Sequence, residues 1–272
     1  MLRRWSIPIT TVVIAFGAML GLAASASAAP TGHHAAAVTH YRPGGLMVRP
    51  TGAKGPVRVG GHTVAQSTNW SGYAATGANG AFTSVTASWK EPTAICSGNR
   101  RHTHQYSSFW VGLDGYSSSS VEQTGTDADC NGTSGSYYGW YEMYPAFPVN
   151  FSNTVKPGDS MSASVTFSGT STFTLVLKDT TQGWTQTVVK NQTGLARSSA
   201  EVITEAPSSN SGVLPLADFG TVSYSVSTAN GTSLGSQNPT EIIMVDNSGA
   251  DKDSTSAING SGAFSNTWIR AN

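Results

Sequence analysis

The stretch "MSASVTF" (residues 161–167) alternates without a break: Met161, Ala163, Val165 and Phe167 share one parity, and Ser162, Ser164 and Thr166 the other. Successive side chains of an extended strand point to opposite faces, so this pattern buries one side and wets the other. A helix would repeat its apolar residues every 3.6 positions, and almost nothing after Asn69 does so. The alternation returns in Phe173, Leu175 and Leu177, and again in Val222, Tyr224 and Val226. Turn-forming clusters such as "SGTS" (168–171), "DTTQG" (179–183) and "TANGTS" (228–233) separate the runs at hairpin spacing. The pattern predicts an all-β body in one domain, an antiparallel sandwich or barrel.

The start of the chain reads differently. Arg3 and Arg4, an apolar run of about 18 residues from Ile7, and the small residues "ASASAAP" (24–30) predict a secretory signal over 1–28, cleaved near Ala28. A membrane anchor is disfavoured by the short run, by Pro8 and by the cleavage site. The mature protein is therefore expected outside the cell and off the membrane. There Cys96 and Cys130 are expected to pair, closing a loop worth about 3–4 kcal/mol. Residues 29–66 carry Arg42, Arg49, Lys54 and Arg58, four of the six histidines and no acid. Rich in Gly, Pro and Ala, they read as a basic leader or propeptide without a fold of its own. Residues 67–272 form the body, where nine cations face all fifteen acids for a net charge of −6. Such a surface does not suit nucleic acid or anionic membrane.

Four segments break the Ser/Thr monotony. Alternation puts Phe109, Val111 and Leu113 of "FWVGLDG" (109–115) on the core side and Trp110, Gly112 and Asp114 on the other. On one face of "VEQTGTD" (121–127) lie Gln123 and Asp127; of "YYGWYEMYP" (137–145), Tyr138, Trp140, Glu142 and Tyr144; of "AEVITEAP" (200–207), Glu201, Ile203 and Glu205. As neighbours, these strands would floor a groove with aromatics and stud it with carboxylates and one amide, which suits a peptide or a sugar. The plain alternative is that the aromatics are core and Gln123 is a solvated strand residue.

Other chemistries fit poorly. There is no His-Glu-x-x-His, and beyond the leader only His102 and His104 remain, in the loop-like "RRHTHQ". "GTSLG" (231–235) has the spacing of a nucleophile elbow, but its surroundings are β-rich and turn-like. Asp-Thr-Gly is absent, and Gln123-Thr124-Gly125 stands in its place. No metal or cofactor is expected.

The segments "NWSGY" (69–73), "FWVGLDG", "EQTGTD" (122–127), "YYGWYEMYP", "AEVITEAP" and "LADFG" (216–220) recur in this order in the glutamic peptidases, or eqolisins, which the chain resembles over about 69–272. The resemblance implies a concanavalin-like sandwich of two antiparallel sheets. It implies endopeptidase activity at acid pH on protein or peptide substrates, with a dyad of Gln123 and Glu205, and a monomer is expected. Trp70, Trp110, Asp114, Asp127 and Glu142 match positions around that dyad. Two residues depart from the fungal pattern: Tyr138 stands where an Asp precedes "AWYEW", and Val202 replaces an aromatic.

An ionised Glu205 can take a proton from attacking water and return it to the leaving amine. The Gln123 amide can hold the water through its oxygen and donate to the developing oxyanion through its NH2. Asp114 and Glu142 are expected to support the pair, and Trp110 to wall the groove. The cationic leader is expected to leave on acidification. The competing readings are a lectin-like carbohydrate-binding module and a glycosidase using Glu142 and Glu205; neither accounts for Gln123.

Overall fold

The computed structural model describes residues 41–42, 44–52, 55–97 and 104–272. The expected signal over 1–28, the leader up to His40, Lys54 and His102 lie outside the described residues.

Two large sheets form the body. One runs, in spatial order, through Val149–Asn150, Ser134–Tyr144, Val121–Asn131, Ser108–Asp114, Ser199–Glu205, Trp70–Thr76, Thr240–Met244, His62–Ser67 and Val57–Val59. The other runs through Trp184–Asn191, Thr172–Asp179, Ser160–Ser168, Ser84–Lys90, Thr221–Ala229, Phe264–Trp268 and Asp253–Thr255. Pairing is antiparallel throughout except where Thr240–Met244 meets His62–Ser67 in parallel. The architecture is the all-β sandwich that the alternation predicts.

The core lies between the sheets. Phe109, Val111 and Leu113 of the first sheet join Met161, Ala163, Val165, Phe173, Leu175, Leu177, Val222 and Tyr224 of the second in one buried cluster. Each such large apolar side chain stabilises by about 1.5–3 kcal/mol when fully buried. Alternation fails at Val226, which is 49% exposed. A register shift between Tyr224 and Val226 inserts Ser225 as an extra residue opposite Ser84–Lys90, so the parity flips. The disulfide Cys96–Cys130, with Cα atoms 5.4 Å apart, ties the segment after Ser84–Lys90 to the end of Val121–Asn131.

The leader differs from expectation in its described part. Val57–Val59 and His62–Ser67 are strands of the first sheet, because "HTVAQS" finds an unpaired edge on Thr240–Met244 over five register pairs. The boundary between leader and body at residues 66 and 67 thus falls inside a strand. Among the described residues, the leader's charged contacts with the body include the ion pair of His62 with Glu241 at 3.1 Å and Arg49 over the Tyr116 ring at 5.5 Å. Further upstream, Tyr41–Arg42 pairs through its backbone with Ser208–Ser209, just past Glu205.

Candidate active site

Cross-strand register arranges the face of the first sheet that points away from the core in three rows. Glu201, Gly112, Gln123 and Glu142 stand opposite one another in the first; Ile203, Trp110, Gly125 and Trp140 in the second; Glu205, Ser108, Asp127 and Tyr138 in the third. Trp70 flanks Glu205 on the other side. The alternation that separates core from groove in the sequence therefore gathers the expected residues. Gly125 is needed in the middle row, since a Cβ there would come within 2.5 Å of the Trp110 Cβ.

Glu205 is fully buried and its carboxylate is held by side chains on two sides. Trp110 Nε1 donates to Oε2 at 2.8 Å, and Asn69 Nδ2 donates to Oε1 at 3.3 Å. Burial pushes its pKa up to about 8, against which the hydrogen bonds from Gly45, Trp110 and Gly44 work. Gln123, also fully buried, donates from Nε2 to Glu142 Oε2 at 2.7 Å. The same nitrogen donates to the carbonyl oxygen of Gly44, while Gln123 Oε1 has no hydrogen-bond partner.

Gly44 and Gly45 complete the site. Gly44 N donates to Glu205 Oε2 at 2.9 Å and Gly45 N to Glu205 Oε1 at 3.1 Å. The Gly44–Gly45 peptide is therefore gripped with its carbonyl on the glutamine and its nitrogen on the glutamate.

The remaining expected residues divide. Asp127 accepts from Trp140 Nε1 at 2.6 Å and from Tyr138 Oη at 2.9 Å, and Tyr138 Oη also lies 2.9 Å from Asp129 Oδ2. The departure at Tyr138 thus places a hydroxyl between two acids. Trp70 meets Trp110 edge to face at 4.9 Å. Asp114 serves another purpose than expected: at φ 71 its carboxylate accepts the backbone amides of Arg197 at 2.6 Å and Ser198 at 2.9 Å. It anchors the loop that leads into Ser199–Glu205 and so holds the strand of Glu205 from a distance. Val202 packs in the core between the sheets, so that departure bears on packing and not on the groove.

The sequence places Trp140 on the groove face without a role for it, and gives no role to Asn69, Gly44 or Gly45. Asn69 lies inside the quoted segment "NWSGY", beside Trp70. The two glycines carry no such signal. Glu201 is fully buried on the groove face; burial raises its pKa well above the carboxylate range, with the charges of Asp114 and Glu122 adding to it.

Residues 68–268 match the Peptidase A4 family. Aspergillopepsin-2 of Aspergillus niger is 31% identical over 202 residues, which span 66% of this chain and 70% of that protein. Scytalidopepsin B of Scytalidium lignicola is 33% identical over 144 residues, half of this chain and 51% of that protein. Among solved structures, scytalido-glutamic peptidase with a transition-state analogue inhibitor superposes with a TM-score of 0.63 at 27% identity, covering 74% of this chain and 98% of that one. An eqolisin bound to the tripeptide Ala-Ile-His superposes with a TM-score of 0.59 at 26% identity over the same shares.

Proposed function

The chain belongs to the Peptidase A4 family of glutamic endopeptidases, and from that premise we propose that it is a secreted acid endopeptidase whose catalytic pair is Gln123 and Glu205. The observation that carries this reading is the peptide bond held between the two: Gln123 Nε2 on the Gly44 carbonyl oxygen, Glu205 Oε1 3.1 Å from the Gly45 nitrogen. A substrate bond in that place has its carbonyl on an amide donor and its leaving nitrogen on a carboxyl group.

Glu205 is the proton carrier. As a carboxylate it removes a proton from water as the oxygen attacks the carbonyl carbon, and as the acid it gives that proton to the departing amine. The donors Trp110 and Asn69 favour its ionised form, and opening the groove to solvent relieves the burial that raises its pKa. Gln123 is the electrostatic partner. Its NH2 faces the oxygen on which negative charge develops, an arrangement worth about 3–4 kcal/mol. Glu142 accepts from that same NH2 and so fixes the amide plane.

Digestion of casein from pH 2 to 4 by the secreted protein, unaffected by inhibitors of paired-aspartate enzymes, is the expected result. Tight retention on an insoluble polysaccharide with no proteolysis would return the protein to the carbohydrate-binding class.

A further inference from the structure

We propose that the cavity beside the Glu205 end of the groove is a subsite for a carboxylate on the peptide substrate, with Lys252 as the cation that receives it. The proposal rests on the peptidase reading of the groove and adds to it a preference at the fourth residue past the cleaved bond.

The cavity encloses about 620 Å³ and is bordered by Val48, Thr68, Ser208, Ser209, Asn247 and Lys252, among others. Pockets of this size hold small ligands. Its walls come from both sides of the glutamate. Thr68 precedes Asn69 and Trp70, which meet Glu205, and Ser208 follows Glu205 by three residues. The Gly44–Gly45 peptide has its carbonyl at Gln123 and its nitrogen at Glu205, so a chain bound in this sense runs from the glutamine past the glutamate. Val48, four residues beyond Gly44, borders the cavity. A chain advances at most about 3.3–3.6 Å per residue, so the fourth residue on the leaving-amine side is the one that reaches it.

Lys252 makes this a place for an anion. It is 3% exposed, and a lysine is almost never so deeply buried unless it is paired. Its ammonium carries three donors. Among the described residues Nζ makes no ion pair, and its hydrogen bond there is a long one, 3.4 Å to the carbonyl oxygen of Thr68. Burial pulls its pKa down to about 8, against which the charges of Asp253 and Asp246 work, so the group stays a cation throughout the acid range.

The acids around it are engaged elsewhere. Asp253 shares a hydrogen bond with Ser71 Oγ, and burial pushes its pKa up to about 7, which leaves it uncharged in acid. Asp246 pairs with Arg270 at 3.2 Å and accepts the amides of Ser248 at 2.8 Å and Ala250 at 3.0 Å. Asp251 and the C-terminal carboxylate of Asn272 form no ion pair with the lysine among the described residues. A carboxylate in the cavity would supply the acceptors that the ammonium lacks, with the Ser208 and Ser209 hydroxyls on the wall as further donors. A peptide carries that group in two ways, on an Asp or Glu side chain or at its own C-terminus.

Three fluorogenic peptides separate the two, alike except at the fourth residue past the cleaved bond: Glu with an amidated end, Gln with an amidated end, and Gln as a free C-terminus. Each is hydrolysed from pH 3 to 5 by the secreted protein after acid treatment and by its Lys252→Met variant. At pH 5 the wild type should show a KM about tenfold lower for a carboxylate-bearing peptide than for amidated Gln, at similar kcat. The advantage should fade by pH 3, because the guest carboxyl takes up its proton around pH 4 while Lys252 stays charged. In Lys252→Met it should be absent at every pH, with Tm held or raised, since an unmatched buried charge is removed.

An advantage for Glu alone identifies an acidic side chain as the guest, one for the free end alone identifies the chain terminus, and one for both shows that the site reads the carboxylate whatever carries it. Equal KM for all three peptides in the wild type overturns the proposal, and so does an advantage that persists in Lys252→Met. Should no form hydrolyse any peptide, fluorescence anisotropy of the uncut peptides at pH 5 decides. Tighter binding of Glu than of Gln by the wild type but not by Lys252→Met keeps the carboxylate site while the peptidase reading fails; equal binding overturns the site as well.

Discussion

The indole nitrogen of Trp110 lies 2.8 Å from Oε2 of Glu205, on the neighbouring strand of the same sheet. That bond favours the ionised carboxylate and, on the proposed mechanism, sets where the general base gains its charge. Trp110→Phe keeps most of the ring against Trp70 and removes the donor. A hydrogen bond to a charged group is worth about 1.5–3 kcal/mol, and 1.36 kcal/mol corresponds to one pKa unit. The acid limb of kcat/KM should therefore move up by about 1–2 pH units. A profile that does not shift would remove Trp110 from the control of Glu205.

Glu142 holds the Gln123 amide at 2.7 Å. Glu142→Gln weakens that hold while preserving shape. A fall in kcat of roughly tenfold with KM little changed is expected, because a misaligned donor is lost mainly in the transition state. Unaltered kinetics would mean that the glutamine positions itself without help.

Tyr138 donates toward both Asp127 and Asp129. In Tyr138→Phe the hydroxyl is gone, yet Asp127 retains Trp140 Nε1 at 2.6 Å. The cost should appear as stability, about 1–3 kcal/mol, which lowers Tm by about 2–4 °C per kcal/mol at this chain length. Activity at the acid optimum should hardly change. Loss of activity at unchanged Tm would instead place Tyr138 in the reaction.

Stability should be greatest in acid. Burial pushes Glu91, Glu122 and Glu205 up to about 8, Asp253 to about 7, and Glu201 well above its ordinary value. A carboxyl group with a higher pKa in the folded than in the unfolded chain binds more protons when folded. Its contribution is full below the unfolded value and is lost as pH rises through the folded one. Asp246, lowered to about 2 chiefly by Ser248, acts in the opposite sense, and only below its ordinary 3.8. Thermal unfolding followed by circular dichroism should give its highest Tm near pH 4 and a steady decline up to pH 8. A Tm that rises across that interval would contradict the buried, protonated acids.

Period-two alternation was enough to assign Met161, Val165 and Leu177 to the core and Gln123, Trp110, Glu142 and Glu205 to one face, since a strand's side-chain direction is a local property. It failed at Val226, where the single extra residue Ser225 cannot be told from its neighbours by composition. It put Asp114 on the groove side with Trp110, but the backbone turns there at φ 71 and the carboxylate serves the loop at Arg197 and Ser198 instead. The seating of Gly44 on Glu205 was beyond reach for a different reason: the two are 161 residues apart, and a glycine shows no preference that would announce its partner. For the same reason "HTVAQS" gave no sign that its strand would find the parallel edge of Thr240–Met244.

On the proposed mechanism Glu205 moves the proton and Gln123 stabilises the oxyanion. Peptide hydrolysis from pH 2 to 7 by the wild type, Gln123→Ala and Glu205→Gln tests it most directly. Gln123→Ala should lose about 10²–10³ in kcat while keeping the wild-type acid limb, and Glu205→Gln should lose the limb together with nearly all activity. Substantial hydrolysis by Glu205→Gln with the acid limb intact would show that another group carries the proton.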